Sequence, residues 1–226
     1  MLPIPRLLVC STAKLVNVSS KYCFQFSTSS CMRFPKIYTR TGDKGKSSTF
    51  TLERRYKDDM IFEALGSTDE LTSAIGFARE FLPESCEHID KQLQEVQCII
   101  QDLAAAVATP KSSSKQRHIE KTKFTGNHVE TLEIWIDEHT KNLPPLNNFI
   151  LPSGGPGSAA LHLARAICRR AERRVVPLVK DDEVDEAPMQ YLNRLSDYLF
   201  TIARVVGLAA GREEFIYWQP KPRSKK

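Results

Sequence analysis

Apolar side chains recur at intervals of three and four residues along most of this 226-residue chain, which is the spacing of one face of an α-helix. The pattern predicts five helices, over residues 58–80, 87–108, 126–141, 157–179 and 188–210. Asp58 and Asp59 can cap the first helix, while Pro110 and Gly211 follow the ends of the second and the fifth. Five helices of this length in one domain predict an antiparallel five-helix bundle, which is an all-α fold.

Two segments between the predicted helices lack this periodicity. Residues 111–125 (KSSSKQRHIEKTKFT) are polar, and we interpret them as a mobile loop. Residues 143–157 (LPPLNNFILPSGGPG) contain four prolines and three glycines, which exclude a continuous helix. Extended stretches are predicted only near the two ends. The sequence therefore predicts one helical domain, residues 35–226, that begins with a short extended segment.

The first 34 residues differ from the rest of the chain in charge and composition. They contain four Lys or Arg, six Ser and no Asp or Glu, with leucine and valine interspersed among the cations. This composition is typical of a mitochondrial transit peptide, and it predicts cleavage between about residues 29 and 36 and a final location in the mitochondrial matrix. A disordered basic tail is the alternative interpretation.

The charge balance changes once this leader is set apart. The whole chain has 32 Lys and Arg against 27 Asp and Glu, a net charge of +5, but the residues after the leader carry only +1. That balance disfavours nucleic acid as a partner, and no apolar run reaches the roughly 20 residues that span a bilayer. The six cysteines are scattered without a C-x-x-C pair, which predicts reduced thiols and no metal site.

The segment TRTGDKGKSST, residues 39–49, is the first candidate for chemistry. Its two glycines allow the backbone to point N–H groups at an anion, and its lysines and serines add charge and hydroxyl donors. A P-loop would need a glycine five residues before Gly45, where this chain has Arg40. Two interpretations of the segment therefore stay open, a phosphate-binding loop and a solvated hairpin turn.

Five arginines lie within ten residues of the fourth predicted helix, in the segment RAICRRAERR. At 100° per residue, Arg165, Arg169 and Arg173 share one face. The guanidinium groups repel one another unless an anion lies opposite, such as a triphosphate or the acids of another helix. The alternative is a solvated basic face with internal ion pairs.

Two further segments place polar groups within helices. Asn193 lies on a polar face of the fifth predicted helix, where a small amide suits a nucleotide or metal-bound phosphate contact; an ordinary polar position near the helix end is the alternative. In ALGSTDELTSAIG, residues 64–76, Asp69 and Glu70 stand between Gly66 and Gly76. Each glycine inside a helix costs about 1 kcal/mol relative to alanine. That cost favours close approach by another helix or subunit, and an acid at this place could pair with the arginines of the fourth helix.

Together these segments resemble the PduO-type ATP:cob(I)alamin adenosyltransferases, and the animal mitochondrial members are the most similar. The similar stretches are TRTGDKGKSST, ALGSTDELTSAIG, FILPSGG and CRRAERRVVPL…YLNRLSDYLF, which span about residues 36–218. The resemblance implies a homotrimer of five-helix bundles with active sites between subunits. It also implies transfer of the 5′-deoxyadenosyl group of ATP to cob(I)alamin, giving adenosylcobalamin and triphosphate.

The resemblance implies roles for individual residues as well. It places ATP against Thr39, Arg40, Thr41, Gly42, Ser47, Ser48, Lys57, Arg169, Arg170, Ala171, Glu172, Arg173 and Asn193. Arg169 and Phe149 would be the catalytic residues, with Phe149 packed under the corrin to help displace its lower axial ligand. Asp69 and Arg165 would form a salt bridge across the subunit interface. Mg²⁺ would be carried by the phosphates, without a metal site of the protein's own.

Two other functions stay open at this point. An ATP-dependent cobalamin chaperone that delivers cofactor to a mutase would use the same site, and for the enzyme too an adenosylcobalamin-dependent mutase is the expected acceptor. A non-catalytic bundle that binds nucleic acid through the fourth helix is the second alternative, which the near-neutral charge disfavours. The enzyme would need no general base, because cobalt(I) is already a strong nucleophile.

Overall fold

The computed structural model describes residues 38–219, and the predicted transit peptide, residues 1–34, lies outside this range. The compact helical unit begins at Arg40. Its elements, in chain order, are β1 (Lys46–Ser48), β2 (Arg54–Tyr56), α1 (Met60–Arg79), α2 (Glu87–Val107), α3 (Gln116–Lys121), α4 (Asn127–Thr140), α5 (Pro156–Lys180) and α6 (Glu186–Ala209). The two strands form an antiparallel hairpin in which Ser47 is paired with Arg55.

The five long helices confirm the predicted all-α bundle, and the hairpin forms the short extended segment before it. The prediction of an irregular loop over residues 111–125 is wrong in part, because α3 lies inside it. None of the six residues of α3 is buried. A helix that buries no side chain needs no apolar face, so its sequence carries no helical periodicity.

The first long helix shows how the sequence sets an element boundary. Asp59 caps α1, since its Oδ1 accepts a 2.9 Å hydrogen bond from the backbone N–H of Ile61. Such a cap contributes about 1 kcal/mol. Ile61, Leu71 and Ile75 lie on the buried face of α1. This helix packs against α2 on one side and against α5 on another.

Among the described helices, α6 has the most buried residues, and it packs against α5 and α4. Tyr198 of α6 is fully buried, and its hydroxyl donates a 2.9 Å hydrogen bond to Oε1 of Gln92. The same oxygen lies 2.9 Å from Nε2 of His139. Burial raises the pKa of Tyr198 and lowers the pKa of His139, so both side chains stay neutral. This uncharged network joins α2, α4 and α6.

The chain enters α5 through a close crossing with α6. Gly154 has a φ of +93°, and a Cβ there would lie 2.7 Å from Oγ of Ser158 and 3.2 Å from Cα of Gly207. A Cβ on Gly157 would lie 2.6 Å from the carbonyl oxygen of Phe81. Because only glycine fits these positions, the segment that leads into α5 is held directly against α6.

The two glycines inside α1 have different surroundings. Among the described residues, nothing lies within 4 Å of a Cβ built on Gly66, and one on Gly76 would meet only Nε2 of Gln97, at 3.3 Å. The predicted close approach by another helix is therefore wrong for Gly66 within one chain. Approach by another subunit stays a prediction.

Several apolar side chains remain on the surface of the bundle. Phe77 and Phe81 meet edge to face, with ring centroids 4.9 Å apart, and Leu163 and Leu208 are also exposed. Exposed apolar side chains of this kind suit contact with another subunit. In the part of the chain that the structure describes, no helix is both long and apolar enough to cross a membrane.

Candidate active site

The turn before the hairpin is closed by its own backbone and braced by an arginine. The N–H of Gly45, whose φ is +73°, donates a 3.1 Å hydrogen bond to the carbonyl oxygen of Gly42. Nη2 of Arg54 donates to the carbonyl oxygens of Thr41, at 2.7 Å, and Lys46, at 3.4 Å. A guanidinium group therefore lies directly beside the segment that the sequence left open as a phosphate-binding loop or a solvated turn.

A second cation closes the other side of this turn. The backbone N–H of Lys57 donates a 2.9 Å hydrogen bond to the carbonyl oxygen of Gly45. Its ammonium group lies so near Gly42 that a Cβ there would be 3.2 Å from Nζ. Ser47 and Ser48 follow in β1, half-buried and exposed respectively. Four of the predicted ATP residues, Gly42, Ser47, Ser48 and Lys57, therefore belong to one small structural unit.

The remaining predicted residues of this segment lie just before the turn. Thr39, Arg40 and Thr41 are exposed, and Arg40 adopts a left-handed backbone conformation with a φ of +58°. A non-glycine residue adopts this conformation only at some cost in free energy.

The hairpin is tied to the bundle by both backbone and side chains. The N–H of Phe50 donates a 2.9 Å hydrogen bond to the carbonyl oxygen of Ala108, at the end of α2. Nη2 of Arg55 lies 2.8 Å from Oε2 of Glu53 and 3.3 Å from Oγ of Ser113. The pKa of Glu53 is lowered, chiefly by its hydrogen bond with Arg55. The hairpin is thus positioned relative to α2 and to the 111–115 segment.

The acidic stretch between α5 and α6, to which the sequence assigned no function, holds that 111–115 segment. Nζ of Lys111 lies 2.7 Å from Oδ1 of Asp182 and 2.9 Å from Oδ1 of Asp185. The N–H groups of Lys111 and Ser112 donate to the carbonyl and carboxylate oxygens of Glu183, at 3.0 and 3.1 Å. These contacts raise the pKa of Lys111, chiefly through Asp182. The acidic stretch therefore supports the hairpin indirectly.

On the basic face of α5, some arginines form ion pairs with α1 and others are exposed to solvent. Arg170 pairs with Glu70 of α1, and Arg174 lies 3.6 Å from Glu63 of the same helix. Acids of α1 therefore do pair with these arginines, as the sequence suggested. Asp69 is exposed and makes no ion pair among the described residues.

The neighbouring positions of α5 face outward or toward α6. Arg169 and Arg173 are exposed, and within residues 38–219 neither forms an ion pair. Ala171 is fully buried, so its methyl group packs in the core. Glu172 is half-buried and its Oε1 accepts a 2.9 Å hydrogen bond from Nδ2 of Asn193. This bond orients the Asn193 amide, while the two arginines remain open to an anion.

A cleft of about 370 Å³ lies beside that amide. Arg194, on its edge, is held by Glu133 at 3.0 Å and by Asp197 at 2.8 Å. The cleft is lined by Val129, Glu172, Met189, Gln190, Asn193 and Arg194. Its mixture of aliphatic and amide groups suits the flat, weakly polar face of a nucleobase.

Phe149 lies on the loop between α4 and α5, and its side chain is 85% exposed. It borders a cleft of about 570 Å³ whose walls are mostly apolar. The guanidinium carbon of Arg165 lies 5.4 Å from the ring centroid of Phe200 in the same wall. Burial, and secondarily Arg165, lowers the pKa of the neighbouring His162. The cleft is therefore suited to a large, largely apolar ligand.

The two residues predicted to form a salt bridge between subunits lie on different helices. Arg165 faces the Phe149 cleft from α5, whereas Asp69 is on the exposed face of α1. Their salt bridge was expected between chains, so a single chain does not test it, and it stays a prediction.

This geometry can now be compared with known proteins. The sequence model of the cobalamin adenosyltransferase family matches residues 37–206 of the chain. The corrinoid adenosyltransferase MMAB of Mus musculus is 56% identical over 190 residues, 84% of this chain and 80% of its own. The chain belongs to the cobalamin adenosyltransferase family. The human MMAB enzyme is 55% identical over 193 residues, which cover 85% of this adenosyltransferase and 77% of the human protein.

Solved relatives support the same assignment of the fold. A variant of the PduO-type ATP:corrinoid adenosyltransferase of Lactobacillus reuteri, complexed with cobalamin and ATP, has a TM-score of 0.75 and 32% identity to this adenosyltransferase. That comparison covers 81% of the present chain and all of the bacterial one. A second variant, complexed with ATP, has a TM-score of 0.73 and 33% identity, over 80% and 100% of the two chains.

The described cysteines of this adenosyltransferase are free thiols, as predicted for residues 86, 98 and 168. Cys168 is fully buried, and its thiol donates to the carbonyl oxygen of Leu192 at 3.2 Å. Burial raises its pKa, which keeps it protonated and unreactive. In residues 38–219, no cluster of three or more His, Cys, Asp and Glu side chains is arranged to hold a metal.

Sequence reasoning missed two arginines of this region. Arg54 braces the turn before the hairpin, and only its position in the second strand of that hairpin could have suggested it. Arg204 is 7% exposed within an otherwise apolar stretch of α6. A lone cation in such a stretch indicates a buried partner. Its partners lie outside α6, so the pattern of this helix could not identify them.

Proposed function

We propose that this protein transfers the 5′-deoxyadenosyl group of ATP to cob(I)alamin in the mitochondrial matrix, and that ATP and the corrin occupy the two regions described above. The observation that carries the proposal is the presence in one domain of a cationic turn with open arginines and an apolar cleft bordered by Phe149. The bacterial relative is complexed with these same two molecules, cobalamin and ATP.

The polar region is assigned to ATP. The turn offers backbone N–H groups, while Arg54 and Lys57 supply positive charge on both sides of it. Arg169 and Arg173 are open toward an anion, and Arg guanidinium groups bind phosphate through paired donors. Asn193 contributes an amide that Glu172 has already oriented. We assign Mg²⁺ to the phosphates, whose oxygens would supply most of its ligands.

The apolar region is assigned to the corrin. The Lactobacillus reuteri structures include variants of a phenylalanine and of an arginine 20 positions further along the chain, and the same interval separates Phe149 from Arg169. An exposed aromatic ring at the rim of a 570 Å³ cleft can pack under the macrocycle and exclude its lower ligand. Four-coordinate cobalt(II) is then easier to reduce to the nucleophilic cobalt(I) state.

The reaction needs positioning and charge stabilisation more than proton transfer. The cobalt(I) electron pair forms a bond to the 5′ carbon of ATP, the bond from that carbon to oxygen breaks, and its electron pair leaves with triphosphate. Negative charge develops on the leaving oxygen, so nearby cations lower the barrier. Alignment of the two substrates supplies the remainder of the catalysis.

We also assign the active form to a homotrimer, in which Asp69 and Arg165 of neighbouring subunits pair. Phe77, Phe81 and Leu163 supply exposed apolar surface for such contacts. Residues 1–34 are proposed as the transit peptide, and an adenosylcobalamin-dependent mutase as the acceptor of the product.

The first experiment uses the chain from Phe34 onward, mixed anaerobically with ATP, Mg²⁺ and chemically reduced cobalamin. We expect the cob(I)alamin spectrum to disappear as a photolabile product forms, only when ATP is present. If ATP binds while cob(I)alamin persists, the adenosyl-transfer proposal is overturned and delivery of cobalamin becomes the better description.

A further inference from the structure

One buried guanidinium group connects the C-terminal segment to the loop that carries Phe149. Nε of Arg204 lies 2.5 Å from Oε1 of Glu214, and its Nη2 lies 3.2 Å from the other carboxylate oxygen. The same Nη2 donates a 2.8 Å hydrogen bond to the carbonyl oxygen of Pro144. Arg204 therefore holds the start of the 143–151 loop and the C-terminal segment at one point on α6.

The C-terminal segment in turn holds the far end of this loop. The N–H of Tyr217 donates a 2.7 Å hydrogen bond to the carbonyl oxygen of Phe149. The N–H of Leu151 donates a 2.7 Å hydrogen bond to the carbonyl oxygen of Phe215. These two bonds form an antiparallel bridge between Ile150 and Ile216. Both ends of the loop are thus fixed through Arg204, one directly and one through Glu214.

The loop itself is a thin wall between two clefts. A cleft of about 430 Å³ lies on the Arg204 side, and the 570 Å³ cleft bordered by Phe149 lies on the other. Four residues line both: Leu146, Asn147, Asn148 and Ile150. The exposed ring of Phe149 has little packing to fix it. Its position therefore depends on the backbone of the loop, and hence on the bonds that hold that backbone.

We propose that Arg204, Glu214 and the backbone N–H of Tyr217 are positioning groups for Phe149, so that the C-terminal segment controls how this enzyme handles the corrin but not how it binds ATP. The inference rests on the proposed assignment of the Phe149 cleft to the corrin. None of these groups touches a reacting atom. Each acts by holding the loop.

The first test removes a single hydrogen bond. Tyr217→Pro deletes the N–H donor to Phe149, whereas Tyr217→Ala keeps the donor and removes the ring. Trp218→Pro is the matched control, since Trp218 is exposed and its N–H makes no backbone hydrogen bond in residues 38–219. Because one hydrogen bond is worth about a two- to tenfold effect, we expect Tyr217→Pro to raise the KM for cobalamin by about that factor over Tyr217→Ala.

The second test removes charge from the buried pair. In Glu214→Gln the bidentate partner of Arg204 becomes neutral, while Glu213→Gln changes the adjacent exposed carboxylate, which forms no ion pair in the described part of the chain. We expect Glu214→Gln, but not Glu213→Gln, to lower the fraction of four-coordinate cob(II)alamin that forms with ATP. Absorption or paramagnetic resonance spectra of the bound cobalamin report that fraction.

The outcomes separate this inference from the proposed function. An unchanged KM for ATP and an unchanged oligomeric state in each variant, even where Glu214→Gln lowers the melting temperature, support a positioning function. Equal behaviour of Tyr217→Pro and Tyr217→Ala, or parallel changes in the KM values of both substrates, overturns it. Failure of the unaltered chain to produce adenosylcobalamin overturns the proposed function instead.

Discussion

The turn that precedes the hairpin, residues 40–45, and the Phe149 loop are fixed to the same helical bundle by different means. The turn lies beside Arg54, which donates to carbonyl oxygens of the turn and of β1. The 111–115 segment behind the hairpin is held by the acids of the 181–185 stretch. The Phe149 loop presents an exposed ring and is held by backbone hydrogen bonds and one buried ion pair. A triphosphate needs charge whose position can adjust locally, whereas an apolar macrocycle needs a surface of defined shape. The two kinds of support fit the ligands proposed for the two regions.

The largest loss of activity should come from removing an exposed arginine of the polar region. We expect Arg169→Ala to lower kcat/KM about 100- to 1,000-fold, since one lost donor to a developing negative charge costs that much. Stability should change little because Arg169 is exposed and makes no ion pair within residues 38–219. Steady-state kinetics and the melting temperature check these two points.

Arg174→Ala is the matched control for this change. It removes only a 3.6 Å ion pair between two exposed side chains, so activity should fall by less than about fivefold. An Arg169→Ala enzyme with ordinary ATP kinetics would contradict the assignment of Arg169.

Removal of the Phe149 ring should slow the reaction through the corrin and leave the KM for ATP unchanged. An aromatic ring that becomes buried against a ligand contributes about 1.5–3 kcal/mol, or about 10- to 100-fold in rate. We expect Phe149→Ala to lose this much with cob(II)alamin and a reductant, less with preformed cob(I)alamin, and nothing in the KM for ATP. Phe149→Trp should retain most of the activity. A loss shared equally by both substrates would show that the two regions are not separable.

A smaller effect should follow from weakening the support behind the hairpin. Lys111→Met removes ion pairs with Asp182 and Asp185. Since such partly exposed pairs contribute about 0.2–1 kcal/mol, we expect up to about a fivefold rise in the KM for ATP. Lys91→Met, which removes the exposed pair with Glu87 on α2, is the control and should leave that KM unchanged. Identical results for the two variants would refute the support function.

The smallest expected effect is a change of thermal stability with pH, which arises in the core of the bundle. Burial lowers the pKa of His139, so the unfolded chain binds the proton more readily than the folded one. The stabilisation is complete above the unfolded pKa of about 6.5 and is lost as the pH falls below it. We expect the melting temperature to decrease between pH 7 and pH 5, and less steeply in His139→Gln. A steeper decrease in that variant would contradict this explanation.

Sequence periodicity was sufficient for the long helices because each one packs an apolar stripe against the bundle, as α1 does through Ile61, Leu71 and Ile75. It could not reveal α3, which buries nothing. The resemblance located Phe149 and the hairpin, whose predicted ATP residues do form one unit. The assignment of those residues to ATP remains a prediction.

The supporting contacts were beyond sequence reasoning for a physical reason. Arg170 meets Glu70 across 100 positions of the chain, and Ser113 meets Arg55 across 58. Such pairs depend on how helices and loops are placed in three dimensions, and local composition does not encode that placement. Arg204 and Glu214 are only 10 positions apart in the sequence, but their pairing requires the chain to reverse direction after α6.

The C-terminal segment also bears on inherited or engineered shortening of the gene product. Every described residue after Gly207 lies outside the core, and only Glu214 among them is even half-buried. A premature stop codon just beyond α6 would leave the helices intact and expose Arg204 to water, where its charge is solvated. On the positioning inference above, the shortened protein would fold and yet handle its corrin poorly. For the same reason, a purification tag is better placed away from the C-terminus.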